Sequence, residues 1–352
     1  MATIKWGVIG LGLIAPSHLD CVNYCGNTEL AAVCDKDGEW VRFVKDKYGA
    51  KKCYTDYHDL LADPDVDAVS VCLPNYLHAQ VTIDALNAGK HVLCEKPMAP
   101  TAAEGRRMKE AADRSGKRLM IVQNQRFFPV SQYMKMLYDE GRFGEVYHIR
   151  TGWRRPLGMM PSPEDKRRNG AMVDRNWYND KSLSGGVLRD LGVHMIDLAM
   201  YITGFPNMTD AIASAYRKFE PDVPDEIKSK YSYTSEDLVT ALIKFDNGMS
   251  LDLEVSFGSA VDEEAVFTNI YGTKMGADRR GEDQLKLIDC SDGVSFKVIE
   301  PDYKSAVRKY GHCVQIFADA IEKDEEPPVK PEETIKVLEV LDKLYETAGF
   351  NK

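Results

Sequence analysis

The chain has 352 residues, 44% hydrophobic and 28% charged, which is more than one hydrophobic core ordinarily supports and unlike a disordered or fibrous composition. Lysine and arginine total 45 against 55 aspartate and glutamate, a formal net charge of -10 with no long basic run, which sets nucleic acid aside as a partner. The opening MATIKWGVIGLG lacks the charged lead and cleavage site of a secretory signal, and no apolar run is long enough to span a bilayer, so a cytoplasmic protein with no membrane partner is expected.

From Ile4 to about Gln123, short runs of valine, isoleucine and leucine alternate with segments of helical period, the pattern of a doubly wound parallel sheet. Strands are predicted at Ile4–Ile9, Leu30–Cys34, Lys52–Tyr54, Ala68–Cys72, His91–Cys94 and Leu119–Val122. Helices are predicted between them at Pro16–Tyr24, Glu39–Tyr48, Tyr57–Ala62, Leu77–Ala88 and Ala102–Ser115. Thr101 followed by Glu104 reads as a capping box, and Gly89 and Gly116 stand where helix ends favour positive φ. Eight cysteines, none in a C-x-x-C pair, read as reduced thiols, three of them ending apolar strands.

The first strand runs into Gly10-Leu11-Gly12-Leu13-Ile14-Ala15, so Gly10, Gly12 and Ala15 fit G-x-G-x-x-G/A in its strand-turn-helix setting. Gly10 permits the tight turn, Gly12 lets backbone amides approach a pyrophosphate, and Ala15 lets the next helix pack closely on the sheet. The helix start then offers unpaired amides and a positive dipole end to the phosphates, with Leu13 and Ile14 in the same turn. Asp35 closes the second strand, where an acidic residue accepts hydrogen bonds from ribose hydroxyls and repels a 2'-phosphate. NAD is therefore expected, with neighbouring Lys36 leaving NADP open. A glycine turn in a cofactor-free domain is the plainer alternative, and the strand context together with Asp35 counts against it.

The fourth strand ends in Leu73-Pro74-Asn75-Tyr76-Leu77-His78 and the fifth in Cys94-Glu95-Lys96-Pro97, both where open α/β sheets place ligands. An exposed ion pair is the ordinary reading of adjacent Glu95 and Lys96. Their position points instead to a lysine that stabilises developing alkoxide charge, and Pro97 permits a cis bond after it.

After Gln123 the alternation stops, and the strand-period runs Val146–Trp153, Ala211–Tyr216, Leu238–Phe245, Met249–Phe257, Val266–Tyr271 and Phe296–Ile299 assemble most simply as an antiparallel sheet. Asp246-Asn247-Gly248 is a hairpin signal between two of them. Helices are predicted at Val130–Glu140, Leu188–Ile202, Val307–Glu322 and Thr334–Thr347, and the irregular stretch from Pro156 to Ser184 is a candidate substrate loop. The fold class is thus α/β, a Rossmann-type doubly wound sheet over 1–124 followed over 125–352 by an α+β domain with a large open, mostly antiparallel sheet.

Within Ser184 to Asp197, Asp190, His194 and Asp197 recur at i, i+4 and i+7, which puts them on one helical face, with Leu188, Leu191, Met195 and Leu198 on another. A histidine there can take the proton that leaves with hydride transfer, its ring oriented by a carboxylate. A solvated face explains poorly why Gly185, Gly186 and Gly192 crowd the segment, because glycine costs helix stability. A buried structural histidine is the second alternative. A metal site of Asp190, His194 and His78 is the third; no further ligand spacing supports it, so no metal is expected.

With Gly10-Leu11-Gly12, Pro74-Asn75, Glu95-Lys96-Pro97, Arg126-Phe127 and Gly185 through His194 in place, the chain resembles, over nearly its whole length, the Gfo/Idh/MocA oxidoreductases, the family of glucose-fructose oxidoreductase and inositol dehydrogenase. The resemblance implies an NAD-binding Rossmann domain over 1–124 and a substrate-binding and oligomerisation domain over 125–352, whose open sheet forms homodimers or higher homo-oligomers. It makes Lys96 the catalytic lysine, places Asp190 and His194 on the substrate hydroxyls, and makes His194 the proton acceptor. Leu73, Pro74, Asn75, His78, Glu95, Lys96 and Gln125 would lie beside the cofactor. Arg126, Trp153, Arg154, Asn176 and Trp177 would line the substrate pocket, with Arg155 and Tyr178 near them; core packing is the plainer alternative for the tryptophans. The implied reaction is oxidation of a secondary alcohol on a sugar, glycoside or inositol, with 3-oxidation of a glycoside among the forms it can take. A reductase of a non-sugar aldehyde, diol or ketone, or a non-catalytic NAD-sensing protein, would fit the fold, but Lys96, Asp190 and His194 count against both.

Overall fold

The computed structural model describes residues 3–349 apart from 160, 162–163, 167–171, 175, 184, 221–223 and 307–311. The chain divides into two compact units, residues 1–122 with 311–335, and residues 123–310 with 336–352.

The first unit is built on β1 (Ile4–Ile9), β2 (Thr28–Cys34), β3 (Lys52–Tyr54), β4 (Ala68–Val71), β5 (His91–Cys94) and β6 (Leu119–Ile121), all parallel in the order β3-β2-β1-β4-β5-β6. These strands read as unbroken apolar runs because both faces are covered; Val8, Ile9, Val33, Val69, Val71, Leu93 and Ile121 are all buried. The helices are α1 (Ala15–Tyr24), α2 (Gly38–Tyr48), α3 (Tyr57–Ala62), α4 (His78–Asn87) and α5 (Ala102–Ser115). Asp37 caps α2 by accepting from the Glu39 and Trp40 amides, and Thr101 caps α5 by accepting from the Glu104 amide. Strand order reverses between β1 and β4, so the loops after β1, β4 and β5 share the carboxyl edge of the sheet at its switch point.

The second unit holds α6 (Pro129–Asp139), β7 (Val146–Pro156), a short hairpin of β8 (Glu164–Lys166) and β9 (Met172–Asp174), α7 (Val193–Ile202), β10 (Met208–Tyr216) and α8 (Asp225–Lys228). There follow β11 (Leu238–Phe245), β12 (Ser250–Ser259), β13 (Ala265–Gly272), β14 (Met275–Arg280), β15 (Gln284–Asp289), β16 (Lys297–Ile299) and α9 (Tyr303–Ala306). Eight of these strands form one sheet, β10-β11-β12-β7-β13-β14-β15-β16, antiparallel except where β12 meets β7. Leu251, Leu253 and Val255 point into the core, and the alternate Asp252 and Glu254 stay partly exposed, as a one-sided sheet requires. α7 packs against β7 and β12 and is buried nearly all round.

The structure departs from the expectations in four places. The predicted helix Val307–Glu322 is α10 (Cys313–Glu322), its first residues lying outside those described. It belongs to the first unit: Phe317 meets the Trp6 ring edge-on at 6.1 Å, and Asn27 hydrogen-bonds Asp319 and Glu322. The expected single block over 125–352 is therefore interrupted at 311–335, and α11 (Pro331–Thr347) runs from one set of residues into the other. β14 and β15 were not expected, because Met275–Arg280 is short of β-branched residues; it is held as a strand by ladders on both edges. The candidate loop from Pro156 to Ser184 contains the β8–β9 hairpin, and 160, 162–163, 167–171, 175 and 184 of it lie outside the described residues.

Candidate active site

At the glycine turn, Gly10 has φ +88, and a Cβ there would stand 2.5 Å from the Cys72 carbonyl oxygen, so only glycine fits. Gly12 is different: the space a Cβ would take is open, and nothing inside the unit demands a glycine. That opening suits a ligand brought against the backbone. The turn is braced from behind by Asp35, whose Oδ2 accepts the Leu11 amide at 3.0 Å, and by the Trp40 indole, which donates to the Leu11 carbonyl at 2.8 Å. Ala15 is buried where α1 starts, and α1 carries no side-chain cap, in contrast to α2, α3 and α5. Pro16 brings no N–H to the first turn of α1 and the Ser17 amide is bonded to the Ile14 carbonyl at 3.0 Å, so what α1 offers an anion is its positive dipole end beside the opening at Gly12. Leu13, Ile14 and Lys36 are exposed around this turn. These features fit a dinucleotide whose pyrophosphate lies on Gly12 and the α1 start and whose ribose reaches Asp35.

At the neighbouring strand ends, Leu73 and Pro74 are half-buried and Asn75 is buried in a single helical turn before α4. His78 was expected at the cofactor, but its ring is fully buried with Nδ1 2.7 Å from the Pro97 carbonyl and Nε2 2.7 Å from the Leu73 carbonyl. It acts as a buckle between the two loops. Burial pulls its pKa below the usual histidine range, against the upward pull of those two carbonyls. Glu95 is likewise turned inward: its Oε1 lies 2.8 Å from His18 Nε2, and Oε2 accepts the Lys96 amide at 3.2 Å. Lys96 is half-buried, and the Lys96–Pro97 bond is cis. His18 was missed in the sequence, where nothing sets it apart from its helix neighbours.

In the second unit, Leu188–Gly192 forms a π-helical turn that leads into α7, a local widening that recurs at functional sites. Asp190 sits half-buried in that turn and His194 follows in α7, almost wholly buried. Asp197, expected on the same face, is taken by another partner. Its carboxylate is fully buried and takes two hydrogen bonds from Arg126, 2.8 Å from Nε and 2.6 Å from Nη2. Arg126, expected on substrate, is thereby committed to the core, with the Tyr201 and Phe205 rings 5.4 and 4.7 Å from its guanidinium. Gln125, expected at the cofactor, is buried and accepts from Arg279 Nη2 at 2.7 Å.

Trp153 is brought to His194, ring centroids 6.0 Å apart, and its indole donates to Glu264 at 2.7 Å. Arg155 lies over the same ring at 5.0 Å and donates to the same carboxylate. Arg154 cannot join them, because successive strand residues point to opposite faces; it lies by Glu254 and over Phe267, as Arg150 does. Asn176–Tyr178 forms a single turn with the Trp177 and Tyr178 rings stacked at 3.8 Å. A Cβ on Gly185 would strike the Trp177 and Tyr178 carbonyls at 2.2 and 2.6 Å, which explains that glycine by close packing of this turn.

Glu236 was not expected. It is buried at the start of the π turn, where its Oε1 accepts the Leu188 amide at 3.1 Å and the Tyr345 hydroxyl at 2.8 Å. Gly186, at φ +119, leaves room for it, since a Cβ there would meet both carboxylate oxygens at 2.4 Å. Burial pushes the Glu236 carboxyl above its usual range. The buried thiols of Cys34 and Cys94 are pushed up to about 12, also by burial, so they are structural. Among the described residues, no cluster of histidine, cysteine, aspartate or glutamate is arranged to hold a metal, and no helix is long and apolar enough to cross a membrane.

Comparison with known proteins supplies the family. Residues 4–123 match the model of an oxidoreductase family with an NAD-binding Rossmann fold, Gfo/Idh/MocA, and residues 131–277 match the C-terminal domain of the same family. D-glucoside 3-dehydrogenase of Escherichia coli is 31% identical over 280 residues, 78% of this chain and 76% of that protein. Myo-inositol 2-dehydrogenase of Thermotoga maritima is 33% identical over 201 residues, 57% of this chain and 55% of the other. A solved levoglucosan dehydrogenase in complex with NADH and levoglucosan shares the fold, with a TM-score of 0.83 over 99% of this chain and 98% of that one at 21% identity.

Proposed function

This chain belongs to the Gfo/Idh/MocA oxidoreductases, and we propose that it oxidises a secondary alcohol on a sugar, glycoside or cyclitol, in the manner of a 3-dehydrogenase acting on a glycoside ring. The observation that carries this reading is the Trp153 ring set 6.0 Å from His194 beside the turn that bears Asp190. An aromatic face suits the C–H surface of a sugar ring, and a titratable group beside it suits a hydroxyl.

Gly10, Gly12, the start of α1 and Asp35 would hold NAD. Bound NAD supplies the two-electron acceptor for the hydride that leaves the alcohol carbon. His194 accepts the hydroxyl proton, Asp190 holds a hydroxyl of the same ring, and Lys96 stabilises the negative charge that grows on the oxygen. Trp153, Asn176 and Trp177 shape the pocket. Asp35 favours NAD over NADP. The reduced cysteines support a cytoplasmic setting. Ile212, Leu242 and Tyr271, exposed along the outward face of the eight-stranded sheet, support self-association there into a homodimer or larger assembly.

The test is NADH absorbance with NAD+ and a panel of glucosides, free hexoses, anhydrosugars and inositols, each at matched concentration. Formation of NADH with a ring polyol, and of a 3-keto product with glucosides, is expected. Turnover confined to simple aldehydes or acyclic diols would contradict the proposal.

A further inference from the structure

Trp6, Ser70, His18 and Glu95 form a buried hydrogen-bonded chain in the first unit. An indole nitrogen only donates, and Trp6 Nε1 lies 2.9 Å from Ser70 Oγ. Ser70 thus accepts there, and His18 Nδ1 lies 2.9 Å from the same hydroxyl oxygen. An ionised carboxylate only accepts, so His18 Nε2 donates to Glu95 Oε1 at 2.8 Å. The other carboxylate oxygen accepts the Lys96 amide at 3.2 Å. An ionised Glu95 thus accepts a hydrogen bond at each carboxylate oxygen, from His18 and from the Lys96 amide. Burial pushes the Glu95 carboxyl up, but the His18 bond and nearby Lys96 outweigh it and hold the group below its usual range.

The chain joins four elements: β1 through Trp6, α1 through His18, β4 through Ser70 and the end of β5 through Glu95. α1 is the helix that starts directly after the glycine turn. A second histidine holds the same helix beside His18. His312 Nδ1 accepts the Val314 amide at 3.3 Å, so its hydrogen is on Nε2, 2.8 Å from Ser17 Oγ, and the two histidine rings meet edge-on at 5.6 Å.

We propose that His18 is a positioning residue for hydride transfer, locking the Glu95 carboxylate, and with it the Lys96 backbone, to the helix that begins at the dinucleotide turn. The inference rests on the reading in which Lys96 acts on the substrate. His18 reaches the Lys96 backbone through Glu95, so the two residues are expected to act as one unit.

The experiment uses the full chain with His18→Leu, His18→Gln, Glu95→Gln, His18→Leu with Glu95→Gln, and Lys96→Ala. NAD+ affinity is read by tryptophan quenching. Single-turnover NADH formation and the split between kcat and KM are measured with whichever of methyl β-D-glucoside and myo-inositol wild type oxidises faster. His18→Leu is expected to slow hydride transfer about a hundredfold with NAD+ affinity and sugar KM within about threefold. His18→Gln, which keeps a donor for Glu95, should recover about tenfold of that loss, and the double variant should be no slower than His18→Leu. Should His18→Leu fail to fold, Glu95→Gln replaces it, with a loss of about tenfold or more expected and no further loss on adding His18→Gln. A rate matching wild type in the deciding variant while Lys96→Ala is slow, or losses that multiply, would overturn the inference alone. An unchanged Lys96→Ala would overturn the reading of Lys96 and this inference with it.

Discussion

Asp197 is fully buried and holds Arg126 by two hydrogen bonds, 2.8 Å from Nε and 2.6 Å from Nη2, which pins the turn at Asn124–Phe127 to α7 inside the second unit. Removing one member of such a pair leaves a charge in the core without its counter-ion. Asp197→Ala should cost about 3–5 kcal/mol, seen as a lower urea midpoint, while NAD affinity is retained. A midpoint equal to wild type would show that the pair does not hold the unit together.

The two glycines of the dinucleotide turn should respond differently. Gly10→Ala forces a Cβ against the Cys72 carbonyl and should lower stability and cofactor binding together. Gly12→Ala meets open space, so the melting temperature should stay near that of wild type while NAD affinity, read by calorimetry, falls about tenfold or more. Unchanged affinity in Gly12→Ala would remove the pyrophosphate from this turn.

Asp35 braces the Leu11 amide and sets the charge where an NADP phosphate would go. Asp35→Ser removes the repulsion and should raise the NADP-to-NAD ratio of kcat/KM about tenfold or more. A ratio that does not move would mean the ribose lies elsewhere.

Glu236 predicts a pH dependence with a definite sign. Its carboxyl is raised by burial, so the protonated form favours the fold. That contribution is complete below the unfolded carboxyl range, about pH 4, and is lost as pH rises through the folded value. Glu236→Gln keeps an acceptor for Leu188 without the titration, so its melting temperature relative to wild type should climb from acid to neutral pH. A difference that is flat with pH would contradict the assignment.

Much of the first unit was legible because parallel strands covered on both faces read as short, unbroken apolar runs; Ile4–Ile9 and His91–Cys94 were placed to the residue. The glycine turn was legible because its requirement is local. What failed was non-local or misphased. His18 finds its partners 52 and 77 residues away in Ser70 and Glu95, and no spacing rule connects them. The spacing that joined Asp190, His194 and Asp197 gave no sign that Asp197 is taken by Arg126, 71 residues away. Arg154 was grouped with Trp153 although the strand's own alternation separates them; that error was avoidable from the sequence.

The most direct measurement is the rate of NADH appearance in a single turnover, with His194→Asn and Lys96→Met compared with wild type under saturating NAD+ and a sugar polyol. Both variants should bind NAD+ as wild type does and lose about a hundredfold or more in the hydride step. Variants that bind NAD+ normally and reduce it at the wild-type rate would contradict the account.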